Sequence, residues 1–295
     1  QPFYRDTWAE VDLDAIRENI EAFIRYINPK TKVMAVVKAN AYGHGAVETA
    51  WTALEAGAEY LAVALLDEAI QLRKAGITAP ILVMGWVRPS DAPLAEQYDV
   101  ALTVFQKEWL EEALQTNINR LTIHLKFDTG MSRLGLRTKE EAEAIVEMIK
   151  NRACLQLEGV YTHFATADDL NSPLFQVQQA RFQDWLTWLT ERGIRPSIIH
   201  TSNSAATIRL PNESYHFVRL GISMYGLKPS PELSIPFELK PAFSLHSQLV
   251  HVKQLEPGDT ISYGATYTVK EPEWIGTVPI GYADGWIRRL AKQGR

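Results

Sequence analysis

A chain of 295 residues, 46% hydrophobic and 22% charged, has the composition of a globular protein and can bury a barrel-sized core without staples. Its formal net charge of -5 leaves no basic stripe, which argues against nucleic acid and anionic membranes as partners while leaving room for a local small-anion site. The single cysteine, Cys154, excludes an intrachain disulfide and suits a reducing cytoplasm.

The N-terminus, QPFYRDTWAEVDL, carries no basic-then-apolar leader pattern, and no apolar run approaches the ~20 residues that span a bilayer. Leu13, Ile16, Ile20, Phe23, Ile24 and Ile27 recur at helical spacing. VMAVV (33–37) is a short continuous apolar run, as expected of a strand buried on both faces. A helix over 46–56 stops at Gly57, the strand YLAVAL (60–65) follows, and a second helix runs from Asp67 to Gly76. PILVMG, VALTV, LTIHLKF, EGVYTHF, SIIHTS and FVRLGI continue the strand series, most of them separated by helical stretches. The helix around 174–192 carries Phe175, Phe182, Trp185, Trp188 and Leu189, a stripe read as core packing. This alternation predicts an α/β fold, a (β/α)8 TIM-type barrel over residues 1–230; a doubly wound open sheet shares the periodicity. LKPSPELSIPFELKP (227–241) reads as a linker. Beyond it the period drops to two, with Gly-containing turns, so residues 231–295 are expected to begin a C-terminal β domain. About 55 residues after the linker are few for such a domain, and the chain is expected to be truncated at Arg295.

In a barrel, chemistry gathers at the C-terminal ends of the strands. Those ends carry Lys38 after the first strand and Lys126, Asp128 and Arg133 after the fifth. His163 follows the sixth, Thr201 to Ser204 the seventh, and Arg219 to Gly221 the eighth. Polar or ionisable groups at five apolar strand tips favour the barrel over the open sheet. Lys38 stands directly after four apolar residues, where desolvation lowers an amine's pKa and makes it nucleophilic toward an aldehyde. A lysine snorkelling out of the barrel mouth is the plainer alternative. Tyr42 offers a hydroxyl four residues on, and Gly43 and Gly45 allow close backbone approach. His44 and His163 are far apart with no cysteine near either, which gives no support to a zinc site, and neither G-x-G-x-x-G nor a P-loop occurs.

AVVKANAYGHG resembles the cofactor-lysine motif of alanine racemases, enzymes that use pyridoxal 5'-phosphate (PLP). LKFDTGMSRLG, YTHFATAD, HTSNSAA, VRLGISMYG, ISYGATYT and PIGYADGW are similar to further blocks of that family in the same order. The resemblance implies racemisation of L- and D-alanine by two bases, supplying D-alanine for cell-wall peptidoglycan, in a cytoplasmic homodimer with shared active sites. It makes Lys38 the Schiff-base lysine and one base, and Tyr263, reaching from the partner subunit, the base on the opposite face. Arg219 would face the pyridine nitrogen, with His163 beside it. Tyr42, Ser204, Gly221 and Ile222 match phosphate contacts, and Ser204 equally fits a plain helix N-cap. Arg133 would bond the cofactor's phenolic oxygen and steer the substrate carboxylate. Lys126 matches a lysine that is often carbamylated in the family. Other readings stay open: a racemase of another amino acid such as serine, given Ser132 and Ser202 near the site, or a PLP-binding barrel without activity. A PLP decarboxylase of this barrel class would instead show an acidic partner for the pyridine nitrogen and a Gly-rich phosphate loop.

Overall fold

The computed structural model of the chain describes residues 4–287. In chain order its strands begin with β1 (Thr7–Val11), followed by β2 (Lys32–Val36), β3 (Tyr60–Val63), β4 (Ile81–Val83) and β5 (Ala101–Val104). Next come β6 (Leu121–Lys126), β7 (Leu155–Tyr161), β8 (Ile198–His200) and β9 (Phe217–Leu220). Strands β2 to β9 form one closed parallel barrel, because β2 pairs with both β3 and β9. The open-sheet alternative is thereby excluded. Helices cover the outside, so the strand residues are buried on both faces, and the apolar runs of the sequence follow from that.

The helices start and stop where local chemistry dictates. In Leu13–Tyr26 the side chain of Asp12 accepts from the backbone N–H of Ala15 at 2.9 Å, while Ile16, Ile20 and Phe23 face the core. The helix Leu174–Glu191 buries Phe175, Phe182, Trp185, Trp188 and Leu189, and Trp185 stacks on Phe127 at 4.4 Å. Its aromatic stripe is core. Inside the barrel, Met34, Val36, Tyr60, Ala62, Leu82, Ala101 and Phe217 form an apolar cluster. Each large side chain buried there contributes about 1.5–3 kcal/mol.

Pairing between β6 and β7 is interrupted once. Ile123 lies opposite Leu157 and His124 opposite Gly159, so Glu158 is an extra residue, a β-bulge that re-aims its side chain.

The chain divides into two compact units, Asp12–Ala242 and a second that joins the segment up to Val11 to the chain from Phe243 onward. Along the chain the barrel unit ends at Ala242. Within the barrel unit the proline-rich run is held in place: Leu233, Leu239 and Ala242 are buried, and Phe237 meets Phe23 edge-on at 5.3 Å. The Asn19 amide donates to the carbonyls of Met224 and Lys240, and its oxygen accepts from the Lys240 N–H. In the second unit β1 pairs antiparallel with β10 (Phe243–Ser247), a long-range pairing no local pattern reveals. There β11 (His251–Leu255) and β14 (Glu273–Thr277) form one antiparallel pair, and β12 (Thr260–Ile261) and β13 (Tyr267–Thr268) another. Arg5 clamps Asp284 with two hydrogen bonds, at 3.0 and 2.8 Å. Among the described residues no helix is long and apolar enough to cross a membrane.

Candidate active site

Lys38 follows β2, and the chain then turns in an unusual way. Ala39, Asn40, Ala41 and Tyr42 all have φ between 52° and 54°, one turn of left-handed helix built without glycine. Each such residue costs roughly 1–2 kcal/mol, so the surroundings must hold the turn. Glu68 does so: one carboxylate oxygen accepts from the Ala39 N–H at 2.5 Å, the other from the N–H groups of Ala64 and Leu65 at 2.8 and 3.0 Å. The Asn40 side chain accepts from the N–H of Ala46. Burial, and next the positive charge of Arg133, lower the Lys38 amine below the ordinary lysine range, against the opposing pull of Glu68.

Arg219 lies within β9, one residue before its tip, and is 2% exposed. Its Nη1 donates to Nδ1 and the carbonyl oxygen of His200, at 2.9 and 3.0 Å. Its Nη2 donates to the carbonyls of Thr162 and Thr201, both at 2.9 Å, and to Nδ1 of His163 at 3.3 Å. All five bonds use the terminal nitrogens, and Nε–H takes part in none of them. Burial lowers the guanidinium to about 10, so it stays charged at neutral pH. His163 is held at about 2 by burial and then by Arg219, Lys126 and Arg133, so it is neutral and accepts at Nδ1. A guanidinium has donors only, which requires that role of both imidazoles.

Lys126 ends β6, 5% exposed, its amine 5.4 Å from the Tyr161 ring centre. Burial, then Arg133 and Arg219, bring it down to about 8 despite Asp128. Asp128 itself accepts from the N–H groups of Gly130 and Ser132.

Opposite these cations is a cluster of hydroxyls and backbone donors. Asn203, not Ser204, caps the helix Ser204–Arg209, accepting from the Ala206 N–H at 3.0 Å. That frees the Ser204 hydroxyl, which accepts from the N–H of Gly221 at 3.1 Å and of Ser223 at 3.5 Å. A Cβ at Gly221 would stand 3.2 Å from the Tyr42 hydroxyl and would crowd this cradle. The Ser223 hydroxyl is buried and unpartnered.

One cavity of about 300 Å³ at the barrel mouth is lined by Lys38, Tyr42, Arg133, His163, Ser204, Arg219, Gly221 and Ile222. Met131, Asp168 and Asn203 line it too; the first two were not singled out in the sequence, although each lies inside a motif block. Lys126 is linked to the cavity through the charges of Arg133 and Arg219. Tyr263 belongs to the second unit, at the turn Tyr263–Ala265, and is 77% exposed. Sequence reasoning missed His124, His200 and Glu158, which lie beneath Arg219 and are linked to it by hydrogen bonds.

Residues 11–229 match the family described as alanine racemase, N-terminal domain, and residues 242–295 the alanine racemase, C-terminal domain. An alanine racemase of Geobacillus stearothermophilus is 58% identical over 292 residues, 98% of this chain and 74% of that protein. Alanine racemase 1 of Bacillus subtilis is 52% identical over 293 residues, 98% of this chain and 75% of that protein. Among solved structures, the Bacillus anthracis alanine racemase with bound L-Ala-P superposes with a TM-score of 0.93 at 52% identity, covering 98% of this chain and 76% of that one. A histidine racemase from Leuconostoc mesenteroides subsp. sake superposes with a TM-score of 0.86 at 32% identity, covering 97% and 77%. With the barrel, the strand-tip constellation and both family matches in agreement, this chain belongs to the alanine racemase family.

Proposed function

We propose that the protein interconverts L- and D-alanine, using PLP held on Lys38, and supplies D-alanine for cell-wall peptidoglycan. The observation that carries this reading is the barrel-mouth cavity in which eight of the residues expected from the sequence meet. Its size is at the lower end of the range for small-molecule sites, about 300–1,000 Å³. The donor set fits an anionic aldehyde cofactor: an amine of lowered basicity, a hydroxyl-and-amide cradle, and cations with few anions to neutralise them.

Bound there, PLP supplies an electrophilic carbonyl and a conjugated ring that accepts electron density from the substrate α-carbon. The chain's own residues do the rest. The Lys38 amine, less basic than an ordinary lysine, attaches the cofactor and exchanges a proton with one face of the α-carbon. Tyr263 serves the other face, donated by the partner subunit of a homodimer; its exposure in the second unit supports that role. Arg219, whose terminal nitrogens are taken up by protein acceptors, has its Nε–H left to give and, as a donor only, would keep the ring nitrogen unprotonated. His163, neutral, steadies the guanidinium from the side. Ser204, Tyr42, Gly221 and Ile222 would hold the phosphate through hydroxyl or backbone N–H groups. Arg133 orients the substrate carboxylate and the cofactor's phenolic oxygen. Lys126, at about 8, is neutral often enough to add carbon dioxide: its nitrogen bonds the carbon, a proton leaves, and a cation becomes an anion facing Arg133. The lone Cys154 supports a reducing, cytoplasmic setting.

The test is racemisation of L- and D-alanine with serine, lysine and histidine as comparators, together with borohydride reduction and peptide mapping. Turnover of alanine and a pyridoxyl group on Lys38 are expected; a label on another lysine, or none, overturns the assignment. The histidine racemase of the same fold makes histidine the sharpest comparator. Tyr263→Phe should keep PLP while solvent-deuterium exchange from L-alanine falls about 10²-fold or more and exchange from D-alanine changes far less. Equal losses in both directions refute the two-face assignment.

A further inference from the structure

We infer that Glu158, beneath the barrel mouth, is a positioning residue for Arg219, acting through His124 and His200. The inference rests on the reading that Arg219 faces the cofactor.

The four groups form one chain, buried at Arg219, His200 and His124 and partly exposed at Glu158. Arg219 Nη1 donates to His200 Nδ1 at 2.9 Å, His200 Nε2 lies 3.0 Å from His124 Nδ1, and His124 Nε2 lies 2.8 Å from a Glu158 carboxylate oxygen. The Tyr60 hydroxyl donates to the same oxygen at 2.7 Å. Both ends of the chain are chemically one-way. A guanidinium can only donate and an ionised carboxylate can only accept. His200 therefore carries its proton on Nε2 and gives it to His124, and His124 carries its own on Nε2 and gives it to Glu158. Reversal would set an N–H of His200 against an N–H of Arg219, and the guanidinium would have to swing away from its place beneath the cavity. Hydrogen bonds from Arg219 reach only carbonyl oxygens and imidazoles, so Glu158 is the anion that ends its network.

The fold makes room for this chain at some expense. His124 and His200 are fully buried. A Cβ on Gly159 would stand 2.4 Å from His124 Nδ1, so only glycine fits there. The bulge places Glu158 outside the regular β6–β7 register and toward His124. Tyr161 stacks on His200 at 4.6 Å and 11° between planes, and Tyr60 meets His124 edge-on. None of His124, His200 and Glu158 lines the cavity, so nothing in cofactor or substrate contact explains them.

The test uses the protein labelled with 15N-histidine, whose ring shifts report the tautomer of each imidazole, with His124→Gln and His200→Gln giving the assignments. Both histidines should be neutral and Nε2-protonated in the wild type, with or without PLP. Glu158→Gln keeps an acceptor and should keep both tautomers and activity within about threefold. Glu158→Leu should retain PLP on Lys38, mix the His200 tautomers, shift the absorption of the bound cofactor and lower kcat about 10–100-fold, the range for partners one shell removed from a site, with KM little changed. Wild-type tautomers and spectrum in folded Glu158→Leu overturn the inference, as does an Nδ1-protonated His200 in the wild type. If Glu158→Leu does not fold, Glu158→Gln combined with Tyr60→Phe takes its place. Wild type that fails to take PLP on Lys38 refutes the functional reading instead, and the two failures are distinguishable because the tautomers can be measured without cofactor.

Discussion

Strands β2 to β5 contribute Met34, Val36, Tyr60, Ala62, Leu82 and Ala101 to the barrel's apolar cluster, whereas β6 to β9 carry His124, Lys126, Tyr161, His200 and Arg219. The residues named in both halves are buried. They differ in what a lost contact costs. In the apolar half a truncation leaves a void; in the polar half it leaves a donor or acceptor without a partner, at about 1–3 kcal/mol each and more for a charge. The apolar half therefore supplies stability that many similar side chains could supply, while the polar half supplies direction, since the terminal N–H groups of Arg219 and the rings of His200 and His124 are each aimed by specific partners. The exception is informative: the first half contributes one polar strand tip, Lys38, and that tip sits on the strained turn.

Four substitutions can break or sharpen this contrast. Lys38→Ala should cost the most, about 10⁴-fold in racemisation, the upper end of what an acid–base group contributes, with no pyridoxyl label after reduction. Retained labelling elsewhere with near-normal turnover would remove Lys38 from the mechanism. Arg219→Glu should follow at about 10²–10³-fold, a typical loss for removing a preorganised donor. A carboxylate there favours a protonated ring nitrogen, so cofactor absorption should move to longer wavelength and release of α-keto acid from alanine should rise. A variant with full cofactor and neither change means that Arg219 does not govern the ring nitrogen. Leu82→Ala, in the other half, should lower stability by about 2–5 kcal/mol and leave PLP affinity within about threefold. A parallel collapse of PLP binding would mean that the halves are not separable.

The smallest effect concerns Lys126 and depends on pH. Its amine lies at about 8 in the folded chain against an ordinary 10.5. Between those values the unfolded chain binds more protons than the native one, so the free energy of unfolding rises with pH across that window. The cost of the buried charge is fully present below about 8 and is relieved as pH climbs to 10.5. In buffer purged of carbon dioxide, the stability difference between wild type and Lys126→Met should therefore become more favourable to wild type across this range. A difference that stays flat shows that Lys126 titrates as an ordinary lysine.

The same contrast explains what could be read from the sequence. All eight barrel strands announce themselves as apolar runs, and the strand tips expose Lys38, Arg133, His163, Ser204, Arg219 and Gly221 as one face. The chain beneath Arg219 does not announce itself. His124 in LTIHLKF and Glu158 in QLEGV are isolated polar residues within strands, and only the bulge and the missing Cβ of Gly159 bring them together. Ser204 was open between cap and ligand until Asn203 took the cap. The linker is legible only in part for a related reason. Proline content marks residues 227–241 as irregular, which they are, but irregular backbone can still be pinned, as Asn19 pins Lys240.

The left-handed turn after Lys38 bears on how the protein matures. Four consecutive L-residues with φ near 53° are disfavoured in a free chain, and apart from Asn40 nothing in KANAY favours them locally. The carboxylate that holds the turn, Glu68, is reached only after another strand and the start of a helix have folded against β2. A nascent or unfolded chain therefore presents Lys38 as an ordinary flexible lysine, without the cradle, the depressed basicity or the fixed direction of attack. Competence to capture an aldehyde is thus a property of the closed barrel, and cofactor uptake during refolding should lag the appearance of secondary structure and coincide with the end of folding.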